Sequence, residues 1–330
     1  MIGLFILQNV YRSPCQDSRM MEFNALVNTC LRRSAEARTR NLLIRTYRVV
    51  PLNESCGIIE WVPNMVGIRP ALRKIYSEIK IPQKDELIKK LYPAARNISL
   101  PEKLLRFRRD LLGLFPPVFG YWFQKTFHEP TEWFLARTAF VRTVAVMSMV
   151  GYVTGLGDRH GENLLIDTRS GELLHVDFNC LFNKGENLQV PEIVPFRLTQ
   201  NMVDAMGPLG VEGTFRKACE QAMRVIRDQR DMLESVIQTF IHDPLVEWRS
   251  RRKGPSDGNK EVALARTAQE HIQNIKIRMS GSVPLKGELS HVKGKYGHPL
   301  SVEGQVTCLI NDATDDVKLC QMYIGWASYL

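Results

Sequence analysis

Met20, Phe23, Leu26, Val27 and Leu31 fall on one stripe, which predicts a helix over residues 19–31. The short apolar start, Met1 to Leu7, reads as a strand. Two more strands follow: Leu43 to Pro51, stopped by its proline, and Gly57 to Val62, which ends at Pro63. From Arg69 the spacing turns helical, with breaks at Pro116-Pro117 and Pro130. The helix ending near Val153 is apolar on nearly every face and belongs deep in a core. Gly155 and Gly157 come next, where a helix C-terminus needs residues tolerant of positive φ. Leu164 to Asp167 and Glu172 to Asp177 then predict two strands joined by the turn Thr168-Arg169-Ser170-Gly171. Phe215, Cys219, Ala222 and Ile226 mark a later helix; Leu264, Ala268, Ile272, Ile275 and Met279 mark another, over 261–279. Between these two lies Arg249 to Lys260, a basic, glycine-containing stretch that reads as a solvated linker or as a DNA-contact or nuclear-targeting run. Residues 299–330 form a last segment.

Composition narrows the class. With 44% hydrophobic and 24% charged residues over 330 positions, the chain is globular and large enough for two lobes. The net charge of +9 suits an acidic ligand without choosing one. A DNA-binding module therefore stands as a third alternative, recognisable by salt-dependent affinity. Seven cysteines, an odd number with no CxxC, argue against a disulfide framework or zinc cluster and for a reducing compartment. The start lacks a basic flank and a cleavage site, and Phe140 to Val153 is too short to span a bilayer, so a soluble intracellular protein with no membrane association is expected.

The chemistry concentrates in Gly155-Leu-Gly-Asp158-Arg159-His160-Gly-Glu-Asn163, followed fourteen positions on by Asp177-Phe178-Asn179. A loop and a strand end thus offer two metal-capable side chains, Asn163 and Asp177, and an Asp and a His able to handle a proton. A hairpin between them lets all four converge. Phosphoryl transfer requires this set: oxygen ligands for Mg²⁺ and a group that orients the attacking hydroxyl. Asp and Asn also populate loops simply because they satisfy turns; their joint spacing after a buried helix favours the catalytic reading.

The order Asp-Arg-His-x-x-Asn reverses the His-Arg-Asp of ordinary protein kinases. It resembles the catalytic loop of the phosphatidylinositol-3-kinase-related kinases. Met147 to Tyr152, Asp177 to Gly185, Val190 to Thr199 and Cys320 to Trp326 extend the resemblance, which runs from about residue 16 onward and is thinnest over 250–295. It implies an α+β, bilobal PI3K/PI4K-type kinase fold with a truncated N-lobe (1–62), a mostly helical C-lobe (63–248), a linker or regulatory insert (249–297) and a helical FATC tail (298–330). It implies that Asp158 orients the substrate hydroxyl and accepts its proton, that His160 lies near the γ-phosphate, and that Asn163 and Asp177 hold Mg²⁺ or Mn²⁺. Arg159 braces the loop, and His175 is a packing residue. ATP would bind at the hinge, Gly57 to Pro63, through the backbone around Glu60, Trp61 and Val62. Trp61 would lie beside adenine, with Tyr47, Leu165 and Val176 completing the apolar sandwich. Asp17 would match the acidic partner of the phosphate-binding lysine.

The resemblance further implies a serine/threonine protein kinase for Ser/Thr-Gln sites in DNA-damage and replication-stress checkpoint signalling. It also implies a nuclear setting, an indirect link to DNA, and a regulatory partner bound through helical repeats outside this chain. The FATC ending and the activation segment, with Lys184 and Arg197 against Glu186 and Glu192, favour protein over phosphoinositide as substrate. One departure stands out. Asn9 occupies the position of the family's phosphate-binding lysine, and no lysine precedes Lys74 nor does a glycine-rich loop fit. Expected explanations are a C-terminal fragment of a larger kinase, a missing true start, or an inactive pseudokinase scaffold; the intact catalytic loop favours the fragment.

Overall fold

The computed structural model describes residues 5–9, 14–53, 56–81, 88, 98–242, 260–283 and 297–330. The basic stretch 249–259 and residues 284–296 of the insert lie outside the described residues.

The chain begins with β1 (Phe5–Asn9), α1 (Pro14–Arg33), α2 (Ala35–Thr39), β2 (Val49–Pro51) and β3 (Cys56–Glu60). These strands form an antiparallel sheet in the order β1-β3-β2, with Phe5 opposite Glu60 and Val50 opposite Ile58. The α1 stripe is buried as its spacing predicts, with Met20, Phe23, Val27 and Leu31 in the core. The strand expected from Leu43 is reduced to Val49–Pro51. Leu42, Ile44 and Tyr47 are buried without a sheet partner, because the Asn28 amide satisfies the Ile44 backbone instead. Its Oδ1 accepts the Ile44 N–H (2.7 Å) and its Nδ2 donates to the Ile44 carbonyl (2.8 Å).

Beyond the four residues after β3, β4 (Met65–Gly67) opens a second antiparallel sheet with β5 (Leu164–Asp167) and β6 (Leu173–His175), in the order β4-β5-β6. The hinge sequence therefore joins the two sheets directly. The hairpin falls where the alternation places it, with Leu164 opposite His175 and Ile166 opposite Leu173. The second strand stops two residues early. His175 ends it with a buried Nδ1, as expected of a packing position.

Between β4 and β5 run α3 (Ile68–Glu78), α4 (Leu100–Arg106) with a π-helical continuation, α5 (Phe119–Thr126) and α6 (Pro130–Thr154). By length and composition α6 would suffice to cross a membrane, which corrects the expectation from its apolar stretch alone. Two-thirds of its most apolar 18-residue stretch is buried inside the protein, and the helix packs against β6 and the later helix α8 (Thr214–Asp228). After α7 (Gln200–Ala205) and α8 come α9 (Arg230–Ile241), α10 (Lys260–Met279), α11 (Val302–Ala313) and α12 (Asp316–Leu319). The chain's last residues, with Trp326, Tyr329 and Leu330, are buried.

Candidate active site

The loop that carries Asp158 starts from the end of α6. Gly155 adopts φ +62, and Leu156 N–H bonds back to the Gly151 carbonyl (2.8 Å), closing the helix in the left-handed manner that glycine permits. Asp158 is itself left-handed, at φ +58. Its N–H donates to both carboxylate oxygens of Glu192 (3.0 and 2.9 Å), and its carbonyl accepts from Asn163 Nδ2 (2.9 Å).

Arg159 is buried and its guanidinium donates to backbone carbonyls: Nε to Gly157 (2.9 Å), Nη1 to Val176 (2.8 Å) and Nη2 to Asp177. It ties the loop to the strand end beyond β6, the bracing part expected of it. Val176 N–H in turn donates to the Asn163 carbonyl (3.0 Å), so Asn163 and the residue before Asp177 lie side by side.

His160 is half-buried, with Nδ1 accepting the Glu162 N–H (3.3 Å). Burial pushes its pKa below the ordinary value. A neutral ring whose Nδ1 accepts carries its proton on Nε2.

Asp177 is left-handed at φ +63 and its Oδ1 accepts from Asn179 Nδ2 (2.8 Å). The Asn of Asp-Phe-Asn thus orients the neighbouring carboxylate. Phe178 is fully buried, and both its backbone groups are held by α1. Gln16 Nε2 donates to its carbonyl (2.6 Å), and its N–H donates to Asp17 Oδ1 (3.1 Å).

Asp17 does two things that its sequence position did not announce and lacks the cationic partner that the resemblance implies. It anchors Phe178 and accepts from the Tyr47 hydroxyl (3.2 Å), but no Lys or Arg forms an ion pair with it among the described residues. Burial first, and then the charge of Asp177, push its pKa up to about 6. Tyr47 is buried with its hydroxyl on Asp17, so its polar end lies at the Phe178 anchor, and only its ring is left for the adenine role.

At the hinge, Glu60 turns its side chain to the Arg48 N–H (2.8 Å), leaving only its backbone for a nucleotide. Trp61 is 53% exposed. Val62, Leu165 and Val176 are half-buried against the core. A protruding tryptophan beside an apolar floor suits a flat ring.

The structure corrects the charge balance read for the activation segment. Arg197 is buried and Glu192 bonds the catalytic loop, so neither faces a substrate. Lys184 donates to the Asn179 carbonyl (3.1 Å), and Glu186 lies 3.8 Å from Arg278. The structural roles of Gln16, Glu192 and Arg197 were not legible in the sequence, which offered Glu192 and Arg197 only as charges of the activation segment. Gln16 alone carried a signal, as the neighbour of Asp17.

Asn163 and Asp177 fit a hard divalent cation. The Asn163 Nδ2 is committed to the Asp158 carbonyl, which leaves Oδ1 as its ligand-capable atom. Two oxygen donors from adjacent loops match Mg²⁺ or Mn²⁺, which take further ligands from phosphate and water. Among the described residues, no three His, Cys, Asp or Glu side chains gather into another metal cluster.

Comparison with known proteins gives the family. The family model "Phosphatidylinositol 3- and 4-kinase" matches residues 5–250, and the FATC domain matches 299–330. The chain is 48% identical to Protein kinase rad3 of Schizosaccharomyces pombe over 95% of its length. It is 46% identical to Serine/threonine-protein kinase ATR of Oryza sativa, again over 95%. It spans 12% and 11% of those two relatives. Among solved structures, "FAT and kinase domain of CtTel1" superposes with a TM-score of 0.82 at 34% identity, over 99% of this chain and 22% of that one.

Proposed function

The chain belongs to the phosphatidylinositol 3- and 4-kinase family with a C-terminal FATC domain, and from that premise we propose that it is the catalytic module of a checkpoint-type serine/threonine protein kinase. The observation that carries this is the convergence of Asp158, His160, Asn163 and Asp177 at one end of the β5–β6 hairpin, held there by Arg159 and by the Val176–Asn163 bond.

In this reading the hinge backbone of Glu60 to Val62 binds adenine, Trp61 flanks it, and Leu165 and Val176 form the floor. Asp158 orients the substrate hydroxyl and takes its proton. Neutral His160 donates Nε2–H toward the transferring phosphate, stabilising charge as it develops. Asn163 and Asp177 would hold Mg²⁺, which neutralises and orients the phosphate oxygens when bound.

Protein rather than lipid as substrate is supported by the relatives' names and by the FATC segment. Ser/Thr followed by Gln, an ATRIP-type regulatory partner, an indirect link to DNA and a nuclear location belong to the same proposal. An inactive scaffold is not favoured: each catalytic-loop residue is present and braced.

The test uses the full-length protein. Asp177→Ala and Asn163→Ala should each abolish phosphate transfer from ATP to a Ser-Gln peptide while leaving the protein folded, as circular dichroism would show. Transfer to phosphoinositide in preference to peptide, or activity retained by Asp177→Ala with unaltered Mg²⁺ dependence, would refute the reading.

A further inference from the structure

Glu192 lies 34 positions beyond Asp158, in the irregular stretch before α7, yet both its carboxylate oxygens accept the one N–H of Asp158. The carboxylate fits a slot between two glycines from different segments. A Cβ on Gly157 or on Gly185 would lie 2.4 Å from Glu192 Oε2. The slot is closed by backbone bonds: Glu192 N–H to the Gly185 carbonyl (3.0 Å) and Gly157 N–H to the Cys180 carbonyl (2.7 Å). The next turn of the same segment adds a second tie, Arg197 Nη1 to the Arg159 carbonyl (3.4 Å).

Asp158 needs such a hold. Its left-handed backbone is one that Asp tolerates better than most residues but does not prefer. A charged acceptor on its N–H makes a stronger bond than a neutral one. Burial of a carboxylate against another acidic residue is costly, and Glu192 accordingly titrates above the usual range, desolvation being the larger cause and Asp158 a further one. The nearby Arg159 and Arg197 guanidinium charges offset part of that cost, yet both carboxylate oxygens turn to the one Asp158 N–H, which points to a job at that N–H.

We propose that Glu192 is a positioning residue: seated between Gly157 and Gly185, it fixes the backbone of Asp158 so that the Asp158 carboxylate is aimed at the substrate hydroxyl. The inference rests on the kinase reading for its consequence, though not for its geometry. It makes the seating of the activation segment a condition for a correctly aimed Asp158. A segment displaced by one residue would empty the slot and release the loop without touching the nucleotide site at Asn163 and Asp177.

Three variants in the full-length protein test it. Glu192→Gln keeps the shape and one neutral acceptor. Glu192→Asp keeps the charge but retracts it by one methylene, and Glu192→Ala removes both. For Glu192→Gln, kcat toward a Ser-Gln peptide should fall about tenfold, the difference between a charge-assisted and a neutral hydrogen bond, with KM for ATP unchanged. Glu192→Ala should fall further, and Glu192→Asp should recover part of the loss. Hydrogen exchange at the amides of Gly157 to Arg159, measured without substrate, should accelerate in the order Asp, Gln, Ala.

Unchanged kcat in a folded Glu192→Gln protein, a loss confined to KM, or unaltered exchange at those amides would overturn the proposal. Should Glu192→Ala fail to fold, the near-isosteric Gln variant decides alone. A wild-type protein inert toward every acceptor sinks the kinase reading, while the exchange experiment still decides whether Glu192 holds the loop.

Discussion

Asp17 shows how much one side chain's surroundings change its chemistry. Its carboxyl bonds the Phe178 N–H and the Tyr47 hydroxyl but is buried close to the negative Asp177. The proton is therefore held up to about pH 6 in the folded state, whereas an unfolded chain releases it near 3.9. Folding is thus favoured when Asp17 is protonated. That advantage is fully present below about pH 4 and is lost as pH rises through 6. The loss is at most about 3 kcal/mol for a shift of roughly two units. Asp17→Asn should remove it. Urea unfolding at pH 4.5 and 7.5 should show the wild type losing more stability between the two than the variant does, and equal losses would contradict the account. A cation brought beside Asp17 would have the opposite effect, pulling its pKa down and reversing the sign of the pH dependence.

Elements depend on a few positions in the same way, and these are unequally visible in the sequence. At the end of α6, a Cβ on Gly155 would sit 2.2 Å from Asn183 Oδ1 and 2.6 Å from Asn183 N, at a φ of +62. Gly155→Ala should therefore cost about 2–4 kcal/mol, from backbone strain and from displacing the Asn183 stretch. Gly113, at φ −67 with open space around its Cβ position, is the control: Gly113→Ala should stabilise by about 0.4–1 kcal/mol. Paired melting curves check both signs. The α6 end, the hairpin and the α1 stripe were legible because periodicity and glycine placement are local signals. The approach of the Asp158 loop to Asp177 was legible because the short hairpin between them is also a local signal. The Leu43–Arg48 stretch was not, since an amide sixteen residues away satisfies Ile44 in place of a strand. Nor were Glu192 and Arg197: a charge in a sequence does not reveal whether it meets water or a buried backbone group.

At the scale of the whole molecule, Arg197 joins the C-terminal segment to the catalytic loop. Its guanidinium is buried and donates to the carbonyls of Trp326 (2.6 Å), Ala327 (2.9 Å) and Leu330 (3.2 Å), as well as to Arg159. It also stacks over the Trp326 ring at 4.4 Å. Arg69 bonds the Gly325 carbonyl, Gln200 the Tyr329 carbonyl (3.0 Å), and Phe115 packs on the Tyr329 ring. The tail thus folds onto the lobe as part of its core. Burial lowers the Arg197 pKa to about 9, which leaves it charged at pH 7, with its guanidinium donating to carbonyl oxygens. Only a planar fork reaches several carbonyls at once; an ammonium is a single point. Arg197→Lys should therefore cost about 2–4 kcal/mol, and Arg197→Ala more, because the carbonyls of 326–330 stay buried without donors. Amide exchange should rise over residues 324–330 and, through the lost bond to its carbonyl, at Arg159, while α1 and its anchor on Phe178 stay protected. Tail exchange unchanged in Arg197→Lys would mean that packing of Trp326 and Tyr329 alone holds the segment, and that the arginine does not connect tail to loop.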